Sequence, residues 1–208
     1  LRKPDDAQTW LAKLDLKAPM DVSDWVDPVF FRSANDDIKS IVVMEGETQV
    51  YKVGPDEGDK GRFKVVDIPA GRELKTGLRV AETVDGVRTL EMLDVRKPTE
   101  KHAKPDRVAV VTMADGTEYT IGMKRDGTDG RERWMTVAVK LQEDAKAADT
   151  AKFIAEDTKG WVFRIAEWRA RQTFKGLDDV YDEVKAEPDK AKEGEAGAGG
   201  MSTKPSSN

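Results

Sequence analysis

The sequence predicts an α+β fold, with antiparallel sheets and helices packed on one face. Three observations predict it. Strand-length runs of β-branched residues are joined by turns at Gly46 and Asp115-Gly116. A 3.6-residue apolar period appears only in isolated stretches. Three strand runs precede each of the two longer helical stretches, an order that parallel βαβ units do not have.

Taken in order, Trp10, Leu11 and Leu14 share a face at helical spacing behind Asp5-Asp6, which predicts a short N-terminal helix. Residues 21–28, with Asp and Ser caps before Pro28, read as a turn or short helix. Ile38 and Ile41 to Met44 form a strand ended by Glu45-Gly46, and residues 48–53 return as its hairpin partner. A polar loop, 54–61, leads to a third strand over 63–68, stopped by Pro69. Leu74, Leu78, Ala81, Val84 and Val87 then fall on one helical stripe, and Met92, Leu93 and Val95 suggest a short strand before Lys97-Pro98.

Residues 98–105, bracketed by prolines and rich in charge, read as a connector. Beyond it, strands are expected over 108–113, 117–123 and 134–141, with a Gly/Asp loop at 125–131. Ala147, Ala151, Phe153 and Ile154 mark a helix, and Trp161, Phe163 and Ile165 alternate on one face of a closing strand.

The two halves thus share a strand–strand–strand–helix–strand order. Gly46 and Gly116 lie 70 positions apart, Phe63 and Trp134 lie 71 apart, and Leu74 and Lys146 lie 72 apart. Two layouts fit: two related αβ units, or a single continuous antiparallel sheet with helices on one face. The expected organisation is an N-terminal helical and turn segment (1–36), a first αβ unit (37–97), a second (106–185) and a disordered tail (186–208). The tail holds Pro188, Pro205 and a Gly/Ala run but no aromatic residue, so it has too little apolar surface to offset its ordering entropy.

Composition removes whole classes of function. The chain has 208 residues, 38% hydrophobic and 36% charged, with 35 Lys and Arg against 40 Asp and Glu for a net charge of −5. Zero cysteines exclude a disulfide scaffold, a thiolate zinc site and a cysteine nucleophile. A single histidine, His102, excludes an H-E-x-x-H metal site. No apolar run reaches the ~18 residues a membrane span needs. The chain opens on Leu1 and not Met, so an upstream stretch, where a leader or anchor would sit, is expected to have been removed.

Several motifs invite chemistry and fail on spacing or charge. The loop from Gly54 to Gly61 lacks the Gly-Lys-Ser/Thr ending of a phosphate loop and carries Asp56, Glu57 and Asp59, which repel phosphate. Asp126-Gly-Thr-Asp129-Gly130 lacks the alternating ligands of a calcium loop and is read as an Asp-Gly turn. Asp36-Asp37 and the cluster Asp178, Asp179, Asp182 and Glu183 read as solvated faces, the latter on a short helix whose other face is Leu177, Val180, Tyr181 and Val184. His102, between Lys101 and Lys104, reads as a surface residue, and no Gly-x-Ser-x-Gly elbow accompanies it. No catalytic residue, no metal ligand and no cofactor are therefore assigned.

Trp161, Arg164, Trp168, Arg169, Arg171 and Lys175 interleave aromatic and basic residues. The acidic total charge argues against a nucleic-acid partner. Trp168, Arg169 and Arg171, just past the closing strand, are the candidate partner-contact residues; the alternative is that Trp168 seals the core edge.

A set of segments in order resembles a known family. They are Thr9-Trp-Leu-Ala12, Asp24-Trp-Val-Asp27, Asp36-Asp-Ile38 with Ser40-Ile41, Ala114-Asp-Gly-Thr-Glu-Tyr119, Arg133-Trp-Met135, and Gly160-Trp-Val-Phe-Arg-Ile165 followed by Trp168. Together, over residues 9–184, they resemble the bacterial family known as domain of unknown function 4340. The resemblance implies a bacterial envelope protein on the periplasmic side. It would be held by an N-terminal membrane anchor absent from this chain, beside gliding-motility-type ABC transporter components. It implies no catalytic residue. The expected function is therefore a non-enzymatic extracytoplasmic accessory, binding or scaffold domain whose partners are membrane transporter or envelope protein subunits. The alternatives are a glycan- or peptide-binding module of the envelope, using exposed tryptophans and edge strands, and a hydrolase using carboxylates from distant segments.

Overall fold

The structure, a computed structural model, describes residues 25, 27–33, 37–141 and 148–184. The N-terminal helix expected around Trp10, the tail from residue 186, and Asp36 and Ala147 lie outside the described residues.

The chain folds as α+β, mostly sheet. After β1 (Val29–Arg32) come β2 (Ile38–Glu45), β3 (Thr48–Pro55), β4 (Phe63–Val66), β5 (Arg72–Leu74), α1 (Val80–Arg88), β6 (Thr89–Glu91) and β7 (Asp94–Arg96). A 3-10 turn, Glu100–Ala103, sits inside the connector. Then follow β8 (Arg107–Met113), β9 (Glu118–Asp126), β10 (Glu132–Lys140), α2 (Ala148–Thr158), β11 (Val162–Ile165), α3 (Glu167–Thr173), α4 (Leu177–Val180) and β12 (Tyr181–Glu183).

Strands from both halves enter one continuous eight-stranded sheet in the order β4-β3-β2-β8-β9-β10-β11-β7. Every neighbouring pair is antiparallel. The seam is β2 on β8, where Ile41 faces Val111. On either side the register repeats: Val53 faces Val65 in β3–β4, and Met123 faces Met135 in β9–β10, each residue 70 positions beyond its counterpart. The short ribbons β1–β6 and β5–β12 flank the sheet. Its edge strands are only four and three residues long, which limits the unpaired backbone open to another chain.

Burial alternates along the strands as a one-sided sheet requires. Ala109, Val111 and Met113 of β8 are buried, while Val108, Val110 and Thr112 between them are half-buried. The buried set continues through Ile41, Val43, Tyr51, Val53 and Ile121, and meets Val84 and Val87 of α1, Ala151 and Ile154 of α2, and Ala170 of α3. Each full-sized aliphatic side chain so covered contributes about 1.5–3 kcal/mol, which makes this face the main source of cohesion.

Several sequence expectations need correction. Leu74 is not on the α1 stripe: it belongs to β5 opposite Tyr181, and Gly77 at φ 82° separates it from the helix. Within α1 only Thr83, Val84, Gly86 and Val87 are buried, and Ala81 faces solvent. The third strand stops at Val66, because Asp67 takes a left-handed φ of 59°. Tyr181 opens a strand and does not continue the acidic helix. Trp161 precedes β11, and its ring is covered by the Lys97 ammonium at 3.5 Å instead of by core. Phe153 is 64% exposed and not part of the α2 core face. The strand β1 has no counterpart among the expected elements.

The approach of α1 to α3 depends on one glycine. A Cβ at Gly86 would lie 2.3 Å from Thr173 Oγ1 and 3.3 Å from its backbone nitrogen. Gly86→Ala gains about 1 kcal/mol of helix propensity, but overpacking at so short a distance costs about 1–3 kcal/mol. We predict a net loss of stability in urea denaturation. Adding Thr173→Ala, which deletes the clashing oxygen, should recover part of it.

Candidate functional site

The C-terminus of α3 organises a polar surface concavity. The last carbonyls of a helix have no partner within it. Here Thr83 Oγ1 and Lys175 Nζ donate to the Gln172 carbonyl at 3.2 and 2.7 Å. The buried Tyr51 hydroxyl donates to the Thr173 carbonyl, and an Arg107 Nη1 donates to that of Phe174. Burial pushes the Tyr51 phenol well above its ordinary pKa, so it remains a donor.

Beside this cap opens a cleft of about 420 Å³, lined by Arg107, Arg125, Arg133, Arg171 and Lys175. Met123, Ala170 and Phe174 form its apolar part, and Asp106 and Asp179 its carboxylates. Both carboxylates are committed. Asp106 accepts from Lys124 Nζ at 2.7 Å and from the Arg125 backbone N–H at 2.8 Å. Burial alone would raise its pKa, but these two donors and their charges more than offset that and hold it below the usual range. Asp179 Oδ2 accepts from the Gly176 N–H at 2.7 Å. Arg133 and Arg171 share Glu167, at 3.2 and 2.9 Å. Burial pulls the Lys175 ammonium below its ordinary pKa, against the attraction of Glu82 and Asp179.

Of the three residues singled out from sequence, the cleft takes in Arg171 and leaves out Trp168 and Arg169. Trp168 is 57% exposed and does not seal the core; the Arg169 guanidinium lies 4.4 Å from its ring centre. Sequence reasoning missed Arg107, Arg125 and Arg133. The signal was present in their positions at the start of β8, the end of β9 and the start of β10, which an antiparallel meander brings to one end of the sheet.

The second concavity, about 550 Å³, is a groove between β1, β11 and α2. Phe30 and Phe163 stack at 4.4 Å within it. Phe153, Ile154, Trp161, Val29, Met92 and Val95 add to its apolar lining, and Asp27 and Asp157 are its carboxylates.

His102 overturns the expectation of a surface histidine. Its ring is buried on the sheet face opposite the helices, edge-on to Trp134 at 6.3 Å. The 3-10 turn aims it inward: the Thr99 backbone N–H donates to Nδ1 at 3.0 Å, which places the ring proton on Nε2. Arg96 lies 3.7 Å above the same indole and binds Asp126 at 2.6 Å. The Asp126-to-Gly130 segment is the β9–β10 turn, with Gly127 and Gly130 at positive φ. Among the described residues, no group of His, Asp or Glu is placed to hold a metal ion.

No family model, no curated protein and no solved structure matches the chain.

Two outcomes follow from these geometries. Tyr51→Phe leaves the buried Thr173 carbonyl without its donor and should cost about 1–3 kcal/mol in equilibrium unfolding. Folding also depresses the His102 pKa, first through burial and then through Arg96. The unfolded chain therefore takes the proton first. Stability is full above about pH 6.5 and is lost as pH falls from there toward the folded-state value. Urea midpoints between pH 7.5 and 5.5 should fall for the native chain and flatten in His102→Gln.

Proposed function

We propose that this chain is a non-catalytic docking domain of a bacterial envelope protein, on the periplasmic side, serving as an accessory to an ABC-type transport complex. The observation that carries the docking role is the open groove walled by Phe30, Phe163, Phe153 and Trp161. Phe153 and Trp161 are 64% and 38% exposed above the buried Phe163, and exposed aromatic side chains gathered in one concavity are the usual anchor of a protein partner. The carboxylates Asp27 and Asp157 complement an apolar segment flanked by Lys or Arg. The association with a transporter and the compartment rest on the resemblance of the segments over residues 9–184. The carboxylates of the other cleft support a binding role over proton transfer, since each is held by a donor of the fold itself.

The test is a photocrosslinking residue in place of Phe153, in the full-length protein in its own cells. An adduct with an integral-membrane transporter subunit, lost in Asp27→Lys/Asp157→Lys, is the expected result. Yields no higher than from a crosslinker at the exposed Ile68 would overturn the proposal. So would adducts confined to cytosolic proteins. Adducts confined to envelope polysaccharide would replace it with a glycan-binding module.

A further inference from the structure

We propose that the cationic cleft beside the α3 C-terminus is a separate docking site for an acidic peptide segment of a protein partner. It lies on a different surface from the aromatic groove and takes the opposite charge.

The first support is the local charge. Five cations line the cleft against the two carboxylates Asp106 and Asp179. Asp106 pairs with both Lys124 and Arg125, and Glu167 with both Arg133 and Arg171, while Arg107 faces Glu45 at 3.5 Å and Lys175 faces Glu82 at 4.0 Å. The lining thus keeps an excess of positive charge in a chain whose net charge is −5.

The second is a cross-strand arrangement that works against folding. Arg125 of β9 stands directly opposite Arg133 of β10, and the neighbouring Met123 stands opposite Arg107. Like charges placed directly opposite in a sheet are destabilising. At the far end of the same strand pair Glu118 faces Lys140, and the two form a 3.0 Å ion pair. At the cleft end Arg125 and Arg133 are instead offset by Asp106 and Glu167 from outside the strand pair, and Glu132 faces Asp126 beside them. An anionic partner relieves the Arg125–Arg133 repulsion further.

The third is preorganisation. Arg107, Arg133 and Lys175 are largely buried and each donates to a backbone carbonyl, of Phe174, Gly130 and Gln172 respectively. They form a fixed positive wall. Arg125 and Arg171, 59% and 75% exposed, stand outside it in surface ion pairs with Asp106 and Glu167, which a ligand carboxylate can replace.

The lining favours a peptide over a bare phosphate. A phosphate cradle converges backbone N–H groups on a point. Among the described residues no such convergence lines this cleft, and the nearby Gly176 N–H is already taken by Asp179. The cations are instead spread around Met123, Ala170 and Phe174. That arrangement matches carboxylates spaced along an extended chain with an apolar residue between them.

The probe is a fluorescein-labelled hexapeptide of alternating Glu and Leu, read by anisotropy at low salt, with a Lys/Leu hexapeptide as its counterpart. The acidic peptide should bind and the basic one should not. Arg125→Glu/Arg171→Glu, both on exposed side chains, should weaken binding at least tenfold, whereas Arg169→Glu, outside the cleft, should leave it unchanged. Arg125→Gln/Arg171→Gln should weaken binding in the same direction, and its thermal midpoint shows whether the fold is intact. Equal binding of the two peptides, or undiminished binding by both double variants, would overturn the proposal. Displacement by tripolyphosphate at concentrations below those of the unlabelled peptide would overturn it too, in favour of a phosphate site. Phe153→Asp should not affect any of these readings, so failure here is distinct from failure of the groove.

Discussion

The carbonyls at the end of α3 are the point on which much of this molecule turns. Left bare under the helix layer, each would carry the cost of an unsatisfied buried acceptor. Four side chains from different stretches of the chain meet them: Tyr51 from β3, Thr83 from α1, Arg107 from β8 and Lys175 from the segment after the helix. That convergence ties both halves of the sheet to the helices above it. It also explains why α1 comes so close at Gly86, and why Arg107 and Lys175 are fixed as one wall of the cleft.

The opposite face of the sheet is held by different means. The connector between β7 and β8 folds down over it, and Pro105 packs so near Gly122 that a Cβ there would meet it at 3.2 Å. His102 and Arg96 cover Trp134, whose indole N–H donates to Glu132 Oε2 at 2.8 Å. A cation over an indole is worth about 0.5–2 kcal/mol, rising with desolvation. Here it operates beside a histidine whose pKa is lowered by burial and by Arg96 itself. The charged connector is therefore a cover for one face as well as a link between two runs of strands.

The cleft beside α3 and the groove beside α2 differ in kind. The groove is aromatic with two carboxylates; the cleft is cationic with a small apolar floor. In both, the polar groups are chiefly held by the fold, and those that remain available are charges and rings at the rims. Such surfaces suit recognition, in which desolvated anchors and complementary charge set affinity and partner choice.

The sequence by itself determined the α+β class, the hairpins at Gly46 and Asp115-Gly116, and the helical core positions Val84, Val87, Ala151 and Ile154. Turn residues and short-range periodicity act within a few positions, so they can be read along the chain. Tertiary structure alone decided that both halves join through β2 and β8, that Leu74 and Tyr181 pair 107 positions apart, and that His102 is buried. It also decided that Arg107, Arg125 and Arg133 gather at one end of the sheet while Arg171 parts from Trp168. These are matters of which strand lies beside which and of what covers the far face. They depend on long-range pairing and burial, and no local pattern of residue types encodes them.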